Sequence, residues 1–172
     1  QNKKAKEILL NLLKWNFFIS QPDNVGRTFR YHSLFREFLQ SKAKIYLTER
    51  KMFQLQKRAA KLLEQCGNME EAIRLYLSTN DYDSAINAIE KNASSLMAHG
   101  RNNILIGLLA QLPEGLIRIN HWLLYWQGMA TIAFDPSSSL QYFESAFSLS
   151  AEKQDNYCKL LSFAGIIDSV FY

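Results

Sequence analysis

The chain has 172 residues, of which 48% are hydrophobic and 13% aromatic, and carries a formal charge of +4. That length and apolar content can build a sizeable core and exclude a disordered polypeptide. The longest apolar runs, 104–112 and 122–126, fall short of the roughly 18–20 residues a membrane span needs, and no small-residue cleavage site follows the Lys-rich start, so the expectation is a cytoplasmic protein with no membrane partner.

In chain order, Lys4 to Trp15 puts Ile8, Leu9, Leu12, Leu13 and Trp15 on one helical stripe, and Phe17-Phe18-Ile19 reads as a short strand. Gln21 to Gly26, with Pro22, Asp23, Asn24 and Gly26, has the composition of a turn. Arg27 to Tyr31 is again β-prone, and Leu34, Phe35, Phe38, Leu39, Ile45 and Tyr46 then recur at the spacing of one helical face. Helix, strand, turn, strand, helix is the order of the second half of a winged-helix domain. His32 stands where the second strand meets the second helix. Near a helix N-terminus the backbone N–H groups and the dipole favour an anion, so this imidazole either caps or packs at the turn or helps to hold a phosphate.

From Lys51 onward the chain reads as paired helices. Met52, Leu55, Ala59, Leu62, Leu63 and Cys66 form a stripe that stops at Gly67, a left-handed C-cap. Gly67-x-x-x-x-Ala72 and Asn80-x-x-x-x-Ala85 recur 13 residues apart, each a tight turn followed by a small residue where helices approach closely. Helices follow at about Met69–Ser78, Tyr82–Met97 and Asn103–Gln111, the last ended by Pro113. Leu124, Gly128, Phe143 and Ala146, with Pro136 in the connecting turn, approximate the tetratricopeptide pattern of large and small residues. A last helix, about Asn156 to Tyr172, reads as the first helix of another repeat whose partner is missing, which implies an array cut at its C-terminal end.

Charge is uneven. Residues 1–61 hold 14 Lys/Arg against 4 Asp/Glu, whereas residues 62–172 hold 6 against 12. A basic winged helix invites a DNA-binding reading, since neutralising phosphates is the sequence-independent part of such binding. The cations are spread over three helices, however, and equally form a solvated face or one that packs on another domain.

Cys66 and Cys158 are far apart and belong to no Cys-x-x-Cys or Cys/His cluster, so neither zinc nor a disulfide framework is signalled; both are expected as buried thiols in helices. His99 and His121 stand alone near helix ends and read as surface or capping residues. Trp122, Tyr125 and Trp126 read either as core or as anchors for a partner on the concave face of a solenoid. No phosphate loop, nucleophile elbow or paired-His motif is present in the sequence. The expectation is a chain that is not an enzyme, with no catalytic residue and no metal ligand.

The run LLKWNFFISQPDNVGRTFRYHSLFREFLQSKA resembles the end of the winged-helix domain in the large MalT-like, LuxR-type ATP-dependent transcription regulators of the STAND class. Within it FRYHSLFREFL resembles the recurrent Tyr-His-x-Leu-Phe-x-x-Phe-Leu segment of that family, and the stretches 57–93 and 105–130 resemble the helical repeats that follow. The resemblance implies that His32 contacts the β-phosphate of ADP held by an ATPase domain. Its flanks are Tyr31 and Ser33, so the acidic third member of the family's Met-His-Asp triplet is absent.

The resemblance further implies ATP or ADP as cofactor of the intact protein only, an upstream ATPase domain of the same protein as partner, an inducer or regulatory protein on the repeats, and DNA through a separate output domain. The expected fold is mainly α, with residues 1–50 the C-terminal part of a winged helix carrying a small β-hairpin wing, and residues 51–172 an α-helical, tetratricopeptide-like solenoid. The expected role is that of a regulatory sensor coupling the nucleotide state of the ATPase domain to binding on the repeats. The alternatives are a freestanding helical-repeat scaffold for protein binding and a basic winged-helix DNA-binding module.

Overall fold

The computed structural model describes residues 3–15, 17–21 and 29–171. These form α1 (Lys3–Lys14), β1 (Ile19–Ser20), β2 (Arg30–Tyr31), α2 (Ser33–Tyr46), α3 (Glu49–Gln65), α4 (Met69–Ser78), α5 (Tyr82–Ala98), α6 (Asn102–Leu109), α7 (Glu114–Arg118), α8 (His121–Thr131), α9 (Pro136–Glu152) and α10 (Asn156–Phe171). Among the described residues the fold is mainly α, with a small antiparallel hairpin between α1 and α2. The chain divides into two compact units, 1–54 and 55–172, with the division falling inside α3.

In the first unit the hairpin is shorter than the sequence suggests. β1 and β2 pair Ile19 with Tyr31 and Ser20 with Arg30, while Phe17 lies outside the strand and Phe18 takes a left-handed φ of +53°. For an aromatic residue that backbone is an outlier, and the strand starts only at Ile19, two residues after the apolar run begins. The turn expected over 21–26 lies outside the described residues apart from Gln21. Ile19 is the buried hydrophobic side chain of this unit among the described residues, and α2 buries none. Ile8, Trp15, Leu34, Phe38 and Ile45 remain exposed, while Leu9, Leu12, Leu13 and Phe35 are half-buried, so the apolar stripes of α1 and α2 are only partly covered.

The second unit holds the hydrophobic core, from Ala60 to Cys158. Its helices are short-linked because one device recurs at their ends. At the end of α3 the N–H of Gly67 donates to the carbonyl of Glu64, and that of Asn68 to Leu63. The same two bonds recur at Asn80 and Asp81 after α4, at Gly100 and Arg101 after α5, and at Gln154 and Asp155 after α9. This is the Schellman closure, which needs a left-handed residue; φ is +81° at Gly67 and +66° at Gly100. The next residue already occupies the N-cap of the following helix, so successive helices must fold back on each other.

This end geometry also corrects two expectations. Cys66 sits at the C-cap rather than inside the helix, and it is exposed, not buried; Cys158 is buried in α10 as expected. Within α3 the core-facing positions are Ala60 and Leu63, while Leu55 and Leu62 are exposed. Pro136 lies at the first position of α9 behind the N-cap Asp135, rather than in the turn; proline suits that position because its missing N–H has no acceptor there. The helix α7 has no counterpart in the sequence reading, and α6 stops before Pro113 by itself.

The packing of α8, α9 and α10 turns on one ring. Phe143 of α9 is fully buried, and it fills the space left by two missing side chains: a Cβ on Gly128 of α8 would lie 2.7 Å from the ring, and one on Gly165 of α10 2.6 Å. The hydroxyl of Ser139 donates to the carbonyl of Gly128 at 2.9 Å, which holds α8 and α9 at that close approach. α9 is thereby held between α8 and α10.

Candidate functional site

The structure places the sequence-derived candidates at two separate places. His32 follows β2 and takes the N-cap position of α2 with extended backbone, φ −57° and ψ 144°. Its N–H donates to the carbonyl of Phe18 at 2.7 Å. The left-handed turn at Phe18 stands beside an aromatic cluster, since the Phe18 ring stacks on Phe35 at 5.7 Å and Tyr31 meets Phe35 edge-on at 5.7 Å. The imidazole makes no capping hydrogen bond to the helix; its ring centre is 6.4 Å from that of Phe18, tilted by 57°, and the residue is exposed. The first turn of α2 contains no acidic residue. The three leading N–H groups of a helix have no intrahelical acceptor, so an anion reaching this end meets no carboxylate of that turn.

The second place is a cleft of about 430 Å³ in the second unit, lined by Asn87, Glu90, Lys91 and Ser94 of α5, Trp122 and Trp126 of α8, and Tyr157 and Leu161 of α10. Trp122 and Trp126 are one helical turn apart, so their rings meet, 6.4 Å between centres and 28° from parallel. Tyr157 closes one end, 5.9 Å from Trp122 and tilted by 44°. Tyr125, grouped with the two tryptophans by the sequence, is not on the cleft: it is 7% exposed, and its ring packs between Trp126 at 5.0 Å and Phe143 at 5.9 Å. Burial pushes its hydroxyl above the ordinary tyrosine range.

The cleft is held from behind by charge-assisted hydrogen bonds. Asp155, at the N-cap of α10, accepts the backbone N–H groups of Tyr157 and Cys158 with one oxygen, and the His121 and Trp122 ring N–H groups with the other at 3.0 Å each. The Cys158 N–H, and next the His121 contact, hold its carboxyl below the ordinary value. His121 is therefore not the solitary residue the sequence suggests: its side chain is 13% exposed and clamps the start of α8 to the start of α10. Across the cleft, Glu90 accepts the Asn120 side-chain N–H at 2.8 Å, and Asn120 caps α8 through the N–H groups of Trp122 and Leu123. The Lys91 ammonium is 3.7 Å from Glu64 of α3, whose other oxygen accepts the Tyr76 hydroxyl at 2.8 Å.

Asn87, Glu90 and Ser94, spaced three and four apart along α5, and Tyr157 and Leu161 of α10 were missed by sequence reasoning. Their spacing marks one face of each helix, but nothing in a sequence says which three faces share a cleft. A second depression, of about 470 Å³, lies around the start of α4 and the end of α5. There Glu70 pairs with Arg74 at 3.1 Å and Arg101 at 2.6 Å, and the Arg74 hydrogen bond is the main cause that holds its carboxyl below the ordinary range. His99 lies at its edge, exposed, with Nδ1 2.6 Å from the Ser95 carbonyl. Among the described residues no three His, Cys, Asp or Glu side chains gather as a metal site, and no helix is long and apolar enough to cross a membrane.

No curated protein and no solved structure matches the chain. Residues 1–51 match the family model described as the MalT winged helix domain. The hairpin, His32 and the helices α1 and α2 thus lie in a segment similar to that domain, and the match supports a segment of a MalT-like transcription regulator.

Proposed function

We propose that the chain is the regulatory part of a signal-responsive transcription regulator of the STAND class, joining the C-terminal part of a winged helix, residues 1–50, to a tetratricopeptide-like array, residues 51–172. In this reading the intact protein carries an ATPase domain before Gln1 and a DNA-binding output domain elsewhere, and the present chain is not itself an enzyme. The observation that carries it is the match of residues 1–51 to the MalT winged helix domain, with His32 exposed at an N-cap that it does not itself cap. An imidazole beside the leading N–H groups of α2 can donate to a phosphate oxygen of ADP, and the helix dipole favours the same charge. The partly exposed apolar stripes of α1 and α2 and the basic balance of residues 1–61 suit packing against such a domain. The close nesting of Gly128 on Phe143 supports the repeat reading, in which an inducer or regulatory protein bound on the aromatic cleft opposes the ADP-held state.

Isothermal titration of ADP and ATP tests this with two proteins, the 172-residue chain and the chain extended through the preceding domain. Binding only by the longer protein, weakened by His32→Ala, is the expected result. Binding by neither leaves a helical-repeat scaffold as the better account, and salt-sensitive DNA binding by the 172 residues alone would instead make the winged helix a DNA-binding module.

A further inference from the structure

We propose that the cleft between α5, α8 and α10 binds a basic peptide segment, taking an arginine or lysine side chain between the Trp122/Trp126 platform and the carboxylate of Glu90. This rests on reading the cleft as the partner site of the repeats. The two indole rings, close to parallel, put aromatic surface along the cleft wall, and Tyr157 of α10 adds a third ring at an angle. Aromatic faces carry negative potential and attract a cation within about 6 Å, arginine above all because its guanidinium can stack flat.

The charges around the cleft have the complementary sign. Glu90 lines it, and Asp83 precedes Glu90 by seven residues on the same side of α5. On α10 Asp168 follows Leu161 by seven residues, on the same side of that helix. Lys91 also lines the cleft, and its ammonium is 3.7 Å from the carboxylate of Glu64 of α3. Glu90 Oε1 is used by Asn120, and a carboxylate has acceptor sites for further donors on its two oxygens. The methylenes of an arginine or lysine fit the apolar end of the cleft at Leu161 while the head reaches the carboxylate.

The test titrates the 172-residue protein with three acetylated, amidated tripeptides, Leu-Arg-Leu, Leu-citrulline-Leu and Leu-Glu-Leu, by calorimetry and tryptophan fluorescence. Citrulline keeps the shape of arginine and removes its charge, so the expected order is arginine about tenfold tighter than citrulline, with the acidic peptide weakest. Glu90→Gln retains an acceptor for Asn120 and should lower the affinity for the arginine peptide about fivefold while leaving the citrulline peptide unchanged; Trp126→Leu should weaken both. Equal affinity for the arginine and citrulline peptides overturns the proposal, as does tighter binding of the acidic one or no binding at millimolar peptide. The wild-type comparison decides this even if a variant misfolds. Such a failure leaves nucleotide binding at His32 standing, because that is read by titration with ADP.

Discussion

Replacing Gly128 by alanine should destabilise the second unit, although the same change inside an exposed helix is stabilising. In α8 alanine would gain about 0.8–1.0 kcal/mol of helix propensity over glycine. The new methyl, however, would stand 2.7 Å from Cε1 and 2.9 Å from Cδ1 of Phe143. The ring cannot retreat, because on its other side a Cβ at Gly165 would already be 2.6 Å away. Overpacking of this kind costs about 1–3 kcal/mol, and a ring fixed on both faces belongs at the upper end, so the net loss is about 2 kcal/mol. Gly107 of α6 is the control: nothing lies within 4 Å of its Cβ position, and Gly107→Ala should stabilise by up to about 1 kcal/mol. Urea unfolding followed by the fluorescence of Trp122 and Trp126, in a Trp15→Phe background, reads the second unit. Phe143→Leu combined with Gly128→Ala should recover at least about 1 kcal/mol of the sum of the single losses. If Gly128→Ala stabilises as Gly107→Ala does, the Phe143 ring is not wedged between the two glycines.

Other consequences follow from single groups. Asp155→Ala removes the N-cap of α10 and the clamp on His121 and Trp122, and should cost about 1–2 kcal/mol. Because the Asp155 carboxyl is held below its ordinary 3.8 in the folded state, its contribution is complete above that value and is lost as pH falls through the lower folded value; acid unfolding of the alanine variant should lack this step. Burial and then the Glu64 contact push the Tyr76 hydroxyl up to about 12. A raised folded value means that its contribution is intact below the ordinary 10 and is lost as pH rises toward 12, so ultraviolet titration should show Tyr76, like the buried Tyr125, ionising late, and in Glu64→Gln the Tyr76 step alone should move earlier. Iodoacetamide should modify the exposed Cys66 in the native protein, and Cys158, buried and with its thiol pushed up by desolvation, only on unfolding; simultaneous labelling of both would contradict the burial of α10.

Periodicity made most of the helices readable, since α4 and the final helix start where the apolar spacing and turn residues place them. Gly67 and Asn80 were legible as turns because their types favour left-handed backbone, whereas Gln154, at φ +59°, carries no such signal and closes α9 by the same pair of bonds. Cys66 was misplaced because an apolar stripe does not reveal which of its residues becomes the C-cap. Phe18 reads as strand by its type and is instead left-handed, with its carbonyl accepting the His32 N–H. At the cleft, Trp122 and Trp126 were visible as a pair, while Tyr125, one residue away, turns to the core. The pairing of His121 with Asp155 spans 34 residues and depends on the α8–α10 stacking, which no local pattern encodes.

In the proposed function, His32 reports the nucleotide state of the intact regulator. The most direct measurement is the amount of ADP that co-purifies with the full-length protein, wild type against His32→Ala, with basal transcription measured in parallel. Loss of retained ADP together with raised basal activity, in a variant that melts at the wild-type temperature, is the predicted result. Unchanged ADP retention and unchanged basal activity in a folded variant would contradict it.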